Sequence, residues 1–129
     1  MKLNLDCIRD ILLTVEEETD FSKLWSFGIH ADPNDRLSAY SYDEIIYHVS
    51  QCNQSGLISG FKDYDGGEDF VVGDLTPKGH QFLSDIRSDT VWNDVKAVSS
   101  KVGSNSLHAV SQIASNVIAA IIQHQLGFN

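Results

Sequence analysis

Apolar residues recur at three- and four-residue steps near the N-terminus: Leu5, Ile8, Ile11, Leu12 and Val15. Such spacing lays one apolar stripe along a helix, expected from Asp6 to about Glu18, with Asp6 as candidate cap. The Glu16-Glu17-Glu18 run falls at its C-terminal end, where the helix dipole disfavours anions, so fraying is expected there. Leu24 to Ile29 reads as a short strand, and Asp32-Pro33-Asn34-Asp35 as a turn.

A second helix is better marked. Ser41 followed by Glu44 has the spacing of a capping box, in which hydroxyl and carboxylate each satisfy a free amide. Ile45, Ile46, Val49 and Cys52 or Asn53 then share a face, and Gly56 supplies a left-handed stop. Residues 57–75 read as a hairpin with its tip at Asp65-Gly66-Gly67 and Phe70-Val71-Val72 returning. Thr76-Pro77 opens a third helix, buried through Phe82, Leu83 and Ile86. Asp89 or Thr90 is expected to cap a fourth helix bearing Val91, Trp92, Val95 and Val98, before a break at Gly103-Ser104-Asn105-Ser106. From Leu107 to Leu126 apolar residues cover about half of a helical cylinder, wider than a coiled-coil seam. This pattern predicts an α+β fold, with a core over residues 1–87 and a C-terminal helical extension over 88–129 in the same compact unit.

Length and composition fit that picture. At 129 residues with 42% hydrophobic positions, the chain suffices for one globular core. Two cysteines, Cys7 and Cys52, make no disulfide framework and suggest a reducing, cytoplasmic setting. The N-terminus reaches a charge too early for a signal peptide, and His108, Gln112, Asn116, Gln123 and His124 interrupt the most apolar stretch, so no membrane association is expected.

The order helix, strand, helix ending in Gly56-Leu57-Ile58, hairpin, then Leu75-Thr76-Pro77-Lys78-Gly79 opening a helix resembles a winged helix. Closer still, the chain resembles the domain of unknown function family 2513, small uncharacterised phage and bacterial proteins. The matching pieces include Ile8-Arg9-Asp10-Ile11-Leu12-Leu13, Tyr42-Asp43-Glu44-Ile45-Ile46-Tyr47-His48, Lys78-Gly79-His80-Gln81-Phe82-Leu83 and Asp89-Thr90-Val91-Trp92. This resemblance implies a winged-helix-like core and a phage or bacterial context, and no activity.

Charge changes what such a fold would be expected to do. The net charge is -9. Between residues 37 and 75, the would-be recognition helix and wing, Lys62 stands alone against Asp43, Glu44, Asp63, Asp65, Glu68, Asp69 and Asp74. Duplex DNA is held by Lys and Arg on its phosphates, so this face would meet like charge. We therefore expect a protein-interaction module binding a basic partner through Asp43, Glu44, Asp63, Asp65, Glu68 and Asp69, such as an inhibitor or modulator of a host nucleic-acid-handling protein. The alternative is a DNA-binding transcriptional regulator whose basic residues, Lys78, Arg87, Lys96 and Lys101, lie off the usual face. Carboxylates that serve only solubility are the bland reading.

Catalysis is not expected. His30, His48, His80, His108 and His124 include no i, i+4 metal pair, no Cys-x-x-Cys exists, and the Asp63–Asp69 stretch lacks calcium-loop spacing, so neither metal nor cofactor is expected. His48 and Cys52 are i, i+4 and read as core. His80 reads as a structural partner of the hairpin or second helix, and Trp25, Trp92, Phe27 and Tyr47 as core or interface aromatics. The wide apolar face of the last helix predicts a homodimer through Val110, Ala114, Val117, Ile118 and Ile121, against the alternative of a helix folded back on its own chain.

Overall fold

A computed structural model describes residues 1–103 and 106–127. The fold is α+β: five helices and two small antiparallel sheets. The chain divides into two compact units, Met1–His80 and Gln81–Asn129.

In the first unit, α1 spans Leu5–Glu18. Its cap is Asn4, not Asp6: Asn4 Oδ1 accepts from the Cys7 amide at 3.3 Å. Asp6 lies within the first turn instead, where the dipole still favours it. The helix runs intact through Glu18, contrary to the expected fraying. The Thr19 hydroxyl closes it on the Val15 carbonyl at 2.6 Å, and Arg36 reaches Glu17 at 2.6 Å, offsetting the misplaced acid run.

Strand β1 is Trp25–Gly28, and α2 is Tyr42–Gln54 with both halves of the Ser41–Glu44 capping box formed. Its buried face is Ile45, His48, Val49 and Cys52, with Ile46 half-buried and Asn53 exposed. At its end Gly56 takes φ 74°, and two bonds close a Schellman motif: Gly56 N–H to Asn53 O and Leu57 N–H to Cys52 O.

The hairpin forms as expected. Strand β3 (Lys62–Tyr64) pairs with β4 (Asp69–Val72), and β4 pairs on its other side with β1, giving the order β1-β4-β3. At its base β2 (Ile58–Ser59) pairs with β5 (Asp74–Leu75). Behind the sheet, Phe70 is fully buried, with the rings of Trp25, Phe27, Tyr42 and Phe61 between 5.2 and 6.2 Å from it. Helix α1 packs on α2 and β5 through Ile8, Ile11, Leu12 and Val15.

Helix α3 (Pro77–Ile86) starts where Thr76 Oγ1 accepts from the Gly79 amide at 3.0 Å and donates to the Gly56 carbonyl at 2.6 Å. Gly79 is obligatory for this docking, because a Cβ there would stand 2.0 Å from the Leu57 carbonyl oxygen.

In the second unit, α4 (Asp89–Val102) packs on α5 (Leu107–Gln125). Ser88, rather than Asp89 or Thr90, caps α4: its hydroxyl accepts from the Val91 amide at 3.1 Å. Its side chain sits three residues before that amide, the reach a cap requires. Part of the expected break, Ser104-Asn105, lies outside the described residues; Ser106 caps α5 through the Ala109 amide. Phe82, Leu83, Ile86, Trp92, Val95, Leu107, Val110 and Ala114 are buried. No helix among the described residues is long and apolar enough to cross a membrane.

Candidate functional site

The start of α2 and the tip of the hairpin meet at Tyr42. Its hydroxyl donates to the Gly67 carbonyl at 2.8 Å, and its ring stacks on Phe27 with centroids 6.1 Å apart. The tip makes its tight turn with Asp65, Gly66 and Gly67 all at positive φ. At Gly67 an added Cβ would meet Ile46 Cδ1 at an ordinary contact distance of 3.9 Å, so it is the backbone conformation, φ 91°, that favours glycine there. A contact 25 residues apart in sequence thus ties the two acidic segments together.

Carboxylates surround this junction. Burial, followed by the charges of Asp69, Asp63, Asp43 and Glu68, pushes the Tyr42 hydroxyl above its ordinary pKa. All four are exposed. Asp69 folds over the backbone of Gly28, where any Cβ would clash with its carboxylate oxygen. Of the six residues expected to bind a partner, Asp43, Asp63, Glu68 and Asp69 are thus near enough to the Tyr42 hydroxyl to raise it, and Asp65 is exposed at the tip. Glu44 is occupied differently: its Oε1 accepts from the Ser41 amide at 3.0 Å. Lys62 turns its ammonium over the Tyr64 ring at 5.5 Å.

Tyr42 itself was not legible as the pivot. Its sequence position beside a helix cap carries no signal of a carbonyl on a distant turn.

The buried titratable groups of this unit have structural work. His48 bridges two segments: its Nε2 accepts from the Asn4 amide at 2.8 Å, and its Nδ1 donates to the Glu44 carbonyl at 2.6 Å. Cys7 and Cys52 are fully buried. Burial, then the charges of Glu44 and Asp10, pushes the Cys7 thiol up to about 12, and burial raises Cys52 as well. The Tyr40 hydroxyl donates to Asp10 at 2.7 Å and is likewise raised by burial and by that bond. His80, expected to hold the hairpin or α2, is exposed. Among the described residues no group of three or more His, Cys, Asp or Glu is placed to hold a metal.

The candidate basic residues are partly engaged: Lys78 donates to the Ser55 carbonyl at 3.1 Å, and Lys96 lies over the Trp92 ring at 5.7 Å. Trp25, Phe27 and Trp92 are buried, and Tyr47 is half-buried. Of the residues expected at a dimer interface, Val110 and Ala114 are buried within the single chain, Val117 and Ile118 are half-buried, and Ile121 is exposed. Ile122 and Leu126 are 51% and 65% exposed.

Comparison with known proteins gives a family and no role. No solved structure matches the chain. An uncharacterised protein of Haemophilus influenzae is 31% identical over 125 residues, covering 95% of this chain and 99% of that protein. The model of the hypothetical-protein family DUF2513 matches residues 2–105. The chain belongs to the DUF2513 family of proteins of unknown function.

Proposed function

We propose that the chain is a non-enzymatic, phage-type protein-interaction module whose acidic face engages a basic surface on a nucleic-acid-handling protein of the host cell. The nearness of Asp43, Asp63, Glu68 and Asp69 to the Tyr42 hydroxyl carries this reading. On a winged helix the same two elements would meet DNA. Carboxylates gathered within a Debye length add their fields, which repel phosphate and attract Lys and Arg. Both thiols are fully buried, which takes them out of reach of a substrate, and that burial also raises their pKa.

The test pairs two measurements on the full chain. Binding to random-sequence duplex DNA at low salt should be undetectable, and salt-sensitive capture of a basic host protein should be lost when Asp63, Glu68 and Asp69 are changed to Lys. Reversal of Asp94, on α4, should leave capture intact. Tight, salt-sensitive DNA binding by the unaltered chain would instead support a transcriptional regulator.

A second copy of the chain fits the other unit. Helix α5 carries no Asp, Glu, Lys or Arg from Leu107 to Gln125, and its C-terminal half exposes Ile121 and Ile122. That is surface a like-charged copy can approach without repulsion, so we place self-association there rather than on the acidic unit.

A further inference from the structure

A different part of the first unit offers main-chain groups to a partner. Strand β1 is an edge of the sheet, paired only with β4 among the described residues. The bond from the Ile29 amide to the Glu68 carbonyl, 2.9 Å, fixes the phase of that ladder. With Phe27 opposite Phe70 and Trp25 opposite Val72, those two residues turn their backbone groups toward β4, and Ser26 and Gly28 turn theirs outward. Gly28 spends its carbonyl on the Ala31 amide at 3.0 Å. Ser26 therefore presents the open donor and acceptor of this edge.

A groove of about 270 Å³ meets the strand at that point. Trp25, Ser26 and Phe27 all line it. Successive strand residues point to opposite faces, so three in a row can line a groove only where it abuts the edge. Asp32 and Asn34 form part of the facing wall, and Glu18 also lines the groove. The wall is anchored: Asn34 Nδ2 donates to Thr14 at 3.1 Å and its Oδ1 accepts from the Leu37 amide at 2.8 Å. Two carboxylates and no basic side chain line the groove, and from outside it Lys23 makes a long, exposed ion pair with Glu18 at 3.9 Å. The volume falls just short of the roughly 300–1,000 Å³ of small-molecule sites, which suits a side chain better than a metabolite.

Exposed apolar side chains bracket the same strand. Leu24 and Ile29 flank it, and Phe21 is fully exposed. Phe21 is held out by a defined turn: the Asp20 and Lys23 backbones bond each other, and the Asp20 carboxylate accepts from the Ser22 amide at 2.8 Å.

We propose that the free edge of β1 docks an extended, basic segment of a partner protein, bonded through the backbone of Ser26 and placing an Arg or Lys side chain against Glu18 and Asp32. The occupant follows from the site: unpaired strand groups select an extended backbone, the two carboxylates select a cation, and Phe21 and Leu24 give its flanking residues apolar cover. The groove shares Phe27 with the Tyr42 junction, but its carboxylates, Glu18 and Asp32, are not those of the acidic face, so this proposal does not rest on that reading.

The test is amide-resolved NMR of the full chain titrated with a blocked pentapeptide of alternating arginine and valine, and with its glutamate–valine counterpart. Saturable shifts at Ser26 and Trp25 are expected with the arginine peptide alone. Ser26→Pro removes the open amide without touching the β4 ladder and should weaken binding about tenfold. If that variant does not fold, the pair Glu18→Gln and Asp32→Asn serves instead, with a loss of about fivefold. Neutralising Asp63, Glu68 and Asp69 should leave the peptide bound. The proposal is overturned by no saturable shift at Ser26, by equal binding of the glutamate peptide, by full binding in a folded Ser26→Pro chain, or by loss only on neutralising the Tyr42 junction.

Discussion

The two units divide the chain's surface chemistry between them. Residues 1–80 hold six Lys or Arg and fifteen Asp or Glu, which is the whole net charge of -9; residues 81–129 hold three of each and sum to zero. The first unit gathers its core around Phe70 and shows carboxylates, one open strand edge and the exposed side chains of Phe21, Leu24 and Ile29 beside that edge. The second is a helix pair that leaves Val98, Val102, Ile121, Ile122 and Leu126 exposed. Net charge therefore acts through the first unit alone, while the second offers apolar surface with no net charge beside it. A field of one sign selects partners by charge, whereas an uncharged apolar face gains only from close fit.

The largest effect that can sharpen this contrast comes from the aromatic cluster. Phe70→Ala removes a buried ring with four ring neighbours and should cost about 4 kcal/mol. Val110→Ala in the second unit deletes two methyl groups and should cost about 2 kcal/mol. Urea midpoints would measure both, and equal losses would break the contrast in core construction.

Alkaline pH should act through the first unit next. Cys7 is raised from 9.0 to about 12 in the folded chain, and Cys52 is raised too. The unfolded chain therefore loses thiol protons at lower pH than the folded one, and stability falls as pH rises from 9.0 toward 12. The slope approaches about 1.4 kcal/mol per pH unit per thiol. Chemical denaturation across that range should show a shallower fall for a chain with Cys7→Ala and Cys52→Ala. An unchanged slope would remove the thiols from the account.

The smallest effect on stability, yet a decisive one for association, belongs to α5. Ile121→Glu with Ile122→Glu alters exposed positions and should shift stability by no more than about 0.5 kcal/mol. Light scattering should find the unaltered chain dimeric and this variant monomeric. A monomer in both would leave the apolar face of α5 without a second copy to cover it.

Much of the local structure was readable because its causes are local. A capping box, a glycine stop and a Thr-Pro helix start are written in residues within one turn of each other, and α2, the hairpin and α3 begin and end where those signals stand. The misreadings were local as well. Asn4 and Ser88 outcompete nearby acidic residues as caps because backbone geometry chooses among adjacent candidates. Glu16–Glu18 stay helical because Thr19 and Arg36, one of them remote in sequence, satisfy that end.

The candidate sites were legible only in part. The acidic segments were evident from composition, but not the Tyr42 bond to Gly67 that joins them, nor the withdrawal of Glu44 into a cap. Nothing in the residues Trp25-Ser26-Phe27 reveals which backbone groups are spent on β4 and which face a groove, because strand phase is set by pairing across some 45 residues. The sequence by itself determined the elements, their order and the sign of the charge, since helix period, caps and ionisation are properties of near neighbours. Tertiary structure alone decided which carboxylates share a surface, which strand edge stays open and which half of α5 is buried. Those depend on distant segments competing for the same contacts, and the free energy of burial and hydrogen bonding is settled only when the chain has closed.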